Sequence, residues 1–283
     1  MFPPVAATIA EARAAVAAAR HAGKRVGFVP TMGALHAGHA SLIRASRAEC
    51  DFTVVSIFVN PTQFGPNEDF GRYPRTFDAD RELCGALGTD LIFAPSGEEM
   101  YPPESRTVVN VTKLEDALCG QSRPGHFRGV ATVVLKLFNI VHPDVAYFGQ
   151  KDAQQALIIH RMVLDLNVPV TVRVQSTVRE PDGLAMSSRN RYLDPAQRHH
   201  ATVLYRALQR AEGLVTAGEL SVPVLEQAMS ALICAAPGAR LDYARVLDAE
   251  TLDTLSVLDR PALAAVAVYF GTTRLIDNTI LRP

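Results

Sequence analysis

The chain has 283 residues, of which 48% are hydrophobic and 20% charged, with 28 Lys and Arg against 29 Asp and Glu for a net charge of −1. This is a globular composition with room for one large α/β domain or two unequal ones, and it excludes disordered and collagen-like chains. The near-neutral balance, with no basic block, argues against a polyanion-coating protein, so no nucleic acid and no membrane surface is expected as a partner.

Ala7–Ala22 is helical by composition, and Arg25–Pro30 is a short apolar run ended by proline. Leu35–Cys50 reads as a second helix, and Phe52–Val59 as a β-branched run too apolar for a strand with one wet face. Asp78–Gly88 (helix), Asp90–Pro95 (strand), Val130–Val141 (helix), Val145–Gly149 (strand), Asp152–Leu166 (helix) and Val168–Val174 (strand) continue the alternation. Near-continuous apolar strands separated by helices predict a parallel sheet covered on both faces. Open sheets of this kind bind ligands outside the carboxyl ends of their strands, so chemistry is expected in the loops after Val29, Val59 and Phe148.

Beyond about residue 176 the order changes. Helices over Pro195–Ala217 and Val222–Ala235 precede strands at Leu241–Leu247, Leu263–Phe270 and Arg274–Asn278, expected to be antiparallel with short turns. Helices followed by strands predict a separate α+β unit. The expected division is a larger domain over residues 1–180 and a smaller one over 181–283, packed across the mouth of the first as a lid.

The cysteines, Cys50, Cys84, Cys119 and Cys234, lie far apart with no CxxC and no metal-ligand spacing. They read as reduced, mostly buried thiols, and no protein-held metal is expected. The first twenty residues lack the uninterrupted apolar core of a secretory signal. No uncharged stretch approaches the roughly 20 apolar residues of a membrane span. A cytoplasmic location is the expectation.

Four clusters carry candidate chemistry. In Pro30-Thr-Met-Gly-Ala-Leu-His36-Ala-Gly-His39 a strand ends, small residues turn the chain, and a helix begins near His36. A helix N-terminus attracts phosphate, and two histidines three apart on its first turn could neutralise charge growing on that phosphate. The plainer reading is that His36 caps the turn and His39 packs. In Asn60-Pro-Thr-Gln63, turn chemistry accounts for Asn60 and leaves Gln63 as the better ligand contact.

In Phe148-Gly149-Gln150-Lys151-Asp152-Ala-Gln-Gln155, Gly149 permits close backbone approach and Asp152 suits an N-cap. Lys151 would present a point charge to phosphate, with Gln155 one turn further along the helix. In Met186-Ser187-Ser188-Arg189, adjacent hydroxyls and a guanidinium can cradle phosphate, against the alternative of a polar hinge. In Arg123-Pro-Gly-His126-Phe-Arg128, His126 and Arg128 read as ordinary helix lead-in and Arg123 stays open. Tyr73 is read as part of a helix lead-in that could also shield the pocket. No GxxxxGK[ST] and no GxGxxG after a strand is present, which removes support for a P-loop kinase and a dinucleotide dehydrogenase.

At these clusters the sequence resembles the pantoate–β-alanine ligase (pantothenate synthetase) family of the HxGH nucleotidyltransferase superfamily. The shared segments also include Tyr73-Pro-Arg-Thr, Asp182-Gly-Leu-Ala-Met-Ser-Ser-Arg-Asn and Arg274-Leu-Ile-Asp-Asn278, in order along nearly the whole chain. The resemblance implies a Rossmann-like domain with a C-terminal lid, usually as a homodimer. It also implies attack of pantoate on ATP to give pantoyl adenylate and pyrophosphate, then displacement of AMP by β-alanine. ATP would be held by Met32, Gly33, Ala34, Leu35, His36, Ala37, Gly38 and His39, by Gly149, Gln150, Lys151 and Asp152, by Val178, and by Met186, Ser187, Ser188 and Arg189. Gln63 and Gln155 would grip pantoate with Asn60 nearby, and Mg²⁺ would accompany ATP. His39 is the implied proton donor, with His36, Lys151, Ser187, Ser188 and Arg189 completing the catalytic set. Gln150 stands where some members carry Glu. Another HxGH nucleotidyltransferase is the alternative, and an ATP-binding sensor without turnover is a reading of a different class.

Overall fold

The computed structural model describes residues 2–66 and 68–283. Its contacts divide the chain into two compact units, one running up to Gly149 and resuming over Gln154–Ser176, the other holding Gln150–Ala153 and Thr177–Pro283. This division falls a few residues before the expected 180/181 boundary and places the Lys151 segment with the second unit.

In the first unit, β1 (Val5–Ala6), β2 (Val26–Thr31), β3 (Phe52–Ile57), β4 (Leu91–Phe93), β5 (Val145–Gly149) and β6 (Thr171–Gln175) pair in the order β1-β4-β3-β2-β5-β6, all parallel. The connecting helices are α1 (Ile9–His21), α2 (Ala37–Glu49), α3 (Phe77–Ala86), the short α4 (Gly97–Met100) and α5 (Cys119–Ser122), α6 (His126–Val141) and α7 (Ala153–Asp165). Helix α1 starts where Thr8 Oγ1 accepts from Glu11 N and Glu11 accepts from Thr8 N, a reciprocal cap that satisfies two end donors. Its Ala12, Val16 and Ala19 then face inward at helical spacing. From β2 the chain steps outward through β3 to β4, then returns to the other side of β2 for β5 and β6. The reversal lies between β2 and β5, where Gly27 stands opposite Val145. Outside the carboxyl ends of strands at such a reversal, an open α/β sheet forms its ligand crevice.

Val29, Ile43, Val55, Ile92 and Val145 fill one side of this sheet, while Phe28, Phe138 and Phe148 meet edge to face on α6 and the strands. The double-sided cover expected for every strand fails at β6. It is an edge strand with Val174 44% exposed, and Arg173 reaches from it to Glu49 at 3.0 Å. An apolar composition does not distinguish an interior strand from the last one. Cys50, Cys84 and Cys119 are buried thiols outside any disulfide and Cys234 is exposed; burial pushes the Cys84 thiol up to about 11.

In the second unit, α8 (Pro195–His200), α9 (Val203–Thr216) and α10 (Val222–Cys234) cover an antiparallel sheet of β7 (Ala239–Asp248), β8 (Ala262–Phe270) and β9 (Thr273–Leu281), ordered β7-β8-β9. Leu204 and Leu208 of α9, Leu225 and Met229 of α10, and Val246 and Val266 of the sheet form its core. Two expectations are corrected here. The helix expected over Pro195–Ala217 breaks at Ala201–Thr202, where Leu204 N turns back to Ala201 O and Thr202 Oγ1 donates to His199 O. The β7–β8 connection is the long segment 249–261, and only β8–β9 has a short turn. Among the described residues no helix is long and apolar enough to cross a membrane.

Candidate active site

Strand β2 ends at Thr31, and Gly33 (φ 81°) and Ala34 (φ 51°) turn the chain through two successive left-handed residues. Such a turn aims consecutive N–H groups at one point and forms a small anion-binding concavity. The concavity is filled from within: the buried Asp80 of α3 accepts Ala34 N at 2.9 Å and Leu35 N at 2.8 Å. Thr76 Oγ1 adds a third bond to Asp80 at 3.2 Å.

His36 follows as the N-cap of α2. Its Nδ1 accepts from Gly38 N at 3.1 Å, and His39 Nδ1 accepts from His36 N at 3.3 Å. The rings lie 4.2 Å apart between centroids, tilted by 48°. The capping role and the catalytic role foreseen as rivals are therefore compatible. A ring nitrogen that accepts an N–H carries no proton, so a neutral ring here holds its proton on Nε2. Space is tight at Gly38: a Cβ on it would lie 2.8 Å from His36 Cε1, so a larger residue would push the His36 ring aside. The backbone amides of His36 and Gly38 at the head of α2 are thus engaged by the two imidazoles.

Asn60 caps the 3-10 turn Pro61–Gln63 by accepting from Thr62 N at 3.3 Å, and its Nδ2 donates to Gln63 Oε1 (3.0 Å) and Gly129 O (3.2 Å). It is 1% exposed, so the turn role read for it from the sequence is the one its bonds describe. Gln63 Nε2 points to Met32 Sδ at 3.2 Å, which sets the amide beside the β2 loop. The backbone carbonyl of Gln63 accepts from His126 Nδ1 (2.8 Å) and Arg123 Nη2 (3.3 Å), while Arg123 pairs through two nitrogens with Glu68, each at 2.6 Å. Burial raises the Glu68 carboxyl, but the Arg123 bond and charge outweigh it and hold the group below its ordinary value. His126, read as ordinary lead-in, thus clamps the Gln63 turn. Tyr73 is buried and meets Phe64 edge-on with centroids 5.9 Å apart. On α7, Gln154 commits its amide to Cys119 N, Leu114 O and Ala117 O, and Gln155 is half-buried beside it.

The second unit assembles the other candidates. Gln150–Asp152 form a 3-10 turn that runs directly into α7, and Lys151 Nζ lies 3.6 Å from Asp152 Oδ1. Met186 N donates to Val178 O at 2.9 Å, and Arg179 bridges to Ala185. This small ladder delivers Ser187, whose Oγ caps the turn Ser188–Tyr192 by accepting from Arg189 N at 3.2 Å. Strand β9 packs against both the Gln150–Asp152 turn and the Ser188–Tyr192 turn. In the first unit Met32, Gln63 and Asn60 are linked by side-chain bonds and His36 stands against His39, and in the second one strand, β9, supports both the turn that holds Lys151 and the turn that holds Ser188 and Arg189.

The sequence profile described as pantoate-beta-alanine ligase matches residues 4–280. The chain belongs to the pantoate–β-alanine ligase family. It is 57% identical over 274 residues to the pantothenate synthetase of Moorella thermoacetica, covering 97% of each chain. Among solved structures, the pantothenate synthetase of Thermus thermophilus superposes with a TM-score of 0.94 at 48% identity, covering 99% of this chain and 100% of that one. A pantoate-beta-alanine ligase of Francisella tularensis, crystallised with β,γ-ATP and β-alanine, gives 0.80 at 34% identity over 98% of this chain and 97% of its own. Within this ligase family frame, the residues that sequence reasoning passed over are Asp80, Glu68 and Arg179. Asn278 lay inside a shared motif without an assigned task.

Proposed function

We propose that this chain is an AMP-forming acid–amine ligase that joins pantoate to β-alanine. A pantoate carboxylate oxygen bonds to the α-phosphorus of ATP, the α–β bridging bond breaks, and pyrophosphate leaves. The amine of β-alanine then bonds to the acyl carbon, the bond to AMP breaks, and the amine proton passes to solvent. Family membership across residues 4–280 carries this reading, and the paired imidazoles at the head of α2 support it.

The first step brings an anionic nucleophile to a polyanion, so alignment and charge compensation dominate the barrier. His36 and His39 would direct Nε2–H groups at α-phosphate oxygens, and hydrogen bonding meets that need without transfer of a proton. Lys151 and Arg189 would supply fixed positive charge, and Ser187 and Ser188 hydroxyl donors. Gln63 and Gln155 would bind pantoate through amide groups, with Asn60 holding Gln63 in place. Mg²⁺ enters with ATP as part of that substrate, bound through phosphate oxygens.

The second unit is the proposed lid, which would carry Lys151 and Ser187–Arg189 to the nucleotide and shield the adenylate from water. A homodimer and a cytoplasmic location are also proposed. Pyrophosphate–ATP exchange that requires pantoate and Mg²⁺ but not β-alanine is the expected result, with AMP released once β-alanine is added. Incorporation of the nucleotide into product would instead identify a different HxGH transferase, and silence in both assays a nucleotide sensor.

A further inference from the structure

One side chain bonds two consecutive carbonyls of the Gln150–Asp152 turn. Asn278 Nδ2 donates to Gln150 O and to Lys151 O, both at 2.9 Å, and Asn278 Oδ1 accepts from Gln150 Nε2 at 2.9 Å. Both amide hydrogens and the amide oxygen are thereby used on two consecutive residues, and Asn278 is 5% exposed. Its own backbone is pinned in turn: Asn278 N donates to Asp277 Oδ1 at 2.8 Å. Asp277, with a side chain 1% exposed, takes both ends of the Arg179 guanidinium at 2.5 and 3.1 Å, and that guanidinium covers the Tyr205 ring at 4.2 Å.

A lysine ammonium ends a flexible four-carbon stem, so its aim depends on how firmly its backbone is held. We propose that Asn278 is a positioning residue for Lys151, its carboxamide fixing the Gln150–Lys151 backbone so that the ammonium meets the nucleotide phosphates in register. The inference rests on the reading of Lys151 as the residue that pairs with those phosphates. It follows from donor chemistry: the carboxamide supplies two N–H donors, one for each carbonyl, and an isosteric carboxylate supplies none. Loss of these two donors would also weaken the turn itself.

The experiment is a double-mutant cycle on the full chain, read by pantoate-dependent pyrophosphate–ATP exchange. Asn278→Ala and the isosteric Asn278→Asp are each expected to lower exchange turnover about tenfold or more, since small misplacements of a catalytic charge are costly. The pantoate KM should stay within about twofold, because binding of that substrate is not touched. In a Lys151→Ala background, adding Asn278→Ala should cost less than about twofold further, as expected when two residues act through one interaction. Losses that multiply in the double variant would overturn the proposal, as would wild-type turnover in Asn278→Ala beside a crippled Lys151→Ala. Wild-type turnover in Lys151→Ala would instead overturn the reading of Lys151, and the inference with it. Should Asn278→Ala melt below the assay temperature, Asn278→Asp takes its place in the cycle.

Discussion

His39 Nδ1 accepts the backbone N–H of His36 while the two rings stand 4.2 Å apart, so one imidazole closes the helix start through one nitrogen and, when neutral, carries its proton on the other, Nε2. Cap and chemistry can therefore be separated by substitution. Asparagine keeps an acceptor near the Nδ1 position and removes the donor at Nε2. His39→Asn is expected to retain the thermal midpoint within a few degrees and nucleotide binding largely intact, while turnover falls about 100-fold or more, the scale for losing one preorganised donor. Equal losses in binding and rate would refute a role confined to the transition state.

Gly129 of α6 lies flush against the turn that carries Gln63. A Cβ there would sit 2.4 Å from Thr62 O and 2.8 Å from Gln63 Cα, both backbone atoms that cannot swing aside. Gly129→Ala should therefore displace the turn, costing about 1–3 kcal/mol in denaturant unfolding as for overpacked cores. With Gln63 displaced, the KM for pantoate should rise more than the KM for ATP. Unchanged KM values with lowered stability would remove Gln63 from pantoate binding.

Much of the first unit is legible because its signals are local. Apolar runs ended by Pro30 and Gly149 become β2 and β5, and the small residues before His36 become the turn into α2. The same locality explains what was hidden. Asp80 meets Leu35 from 45 residues away and Gln150 meets Asn278 across 128, and no spacing rule spans such gaps. Periodicity likewise says nothing of sheet order, so β6 at an edge and β4 inside the sheet read alike. His126 was undervalued because its partner is a backbone carbonyl, which every residue possesses.

Asp80 is the internal anion of the site loop, its two oxygens divided between Ala34 N and Leu35 N. Asp80→Asn keeps one acceptor and turns an amide NH₂ toward the other N–H. A buried donor left unsatisfied costs about 1–3 kcal/mol, so the thermal midpoint should fall. The loss is expected to fall on the loop ahead of His36 as well, seen as faster amide exchange at Ala34 and Leu35. A midpoint equal to that of the parent chain would show that the loop does not depend on this carboxylate.

Glu68 supplies the pH dependence. Burial alone would raise its carboxyl, and the Arg123 pairing more than reverses this, so the folded-state value lies below the ordinary one. A carboxyl depressed on folding contributes stability that is fully present above its unfolded value, about 4.3 for glutamate. That contribution is lost as pH falls through the folded value, where the native state must take up the proton it resists. Because Arg123 also donates to Gln63 O, the same pairing steadies the proposed pantoate contact. Glu68→Gln should therefore lower the thermal midpoint and raise the pantoate KM at pH 7. The difference in midpoint from the parent chain should shrink as the pH is taken down to about 4 and below. A difference that stays constant over that range would mean that Glu68 acts through shape alone, and that its charge does not secure the Gln63 turn.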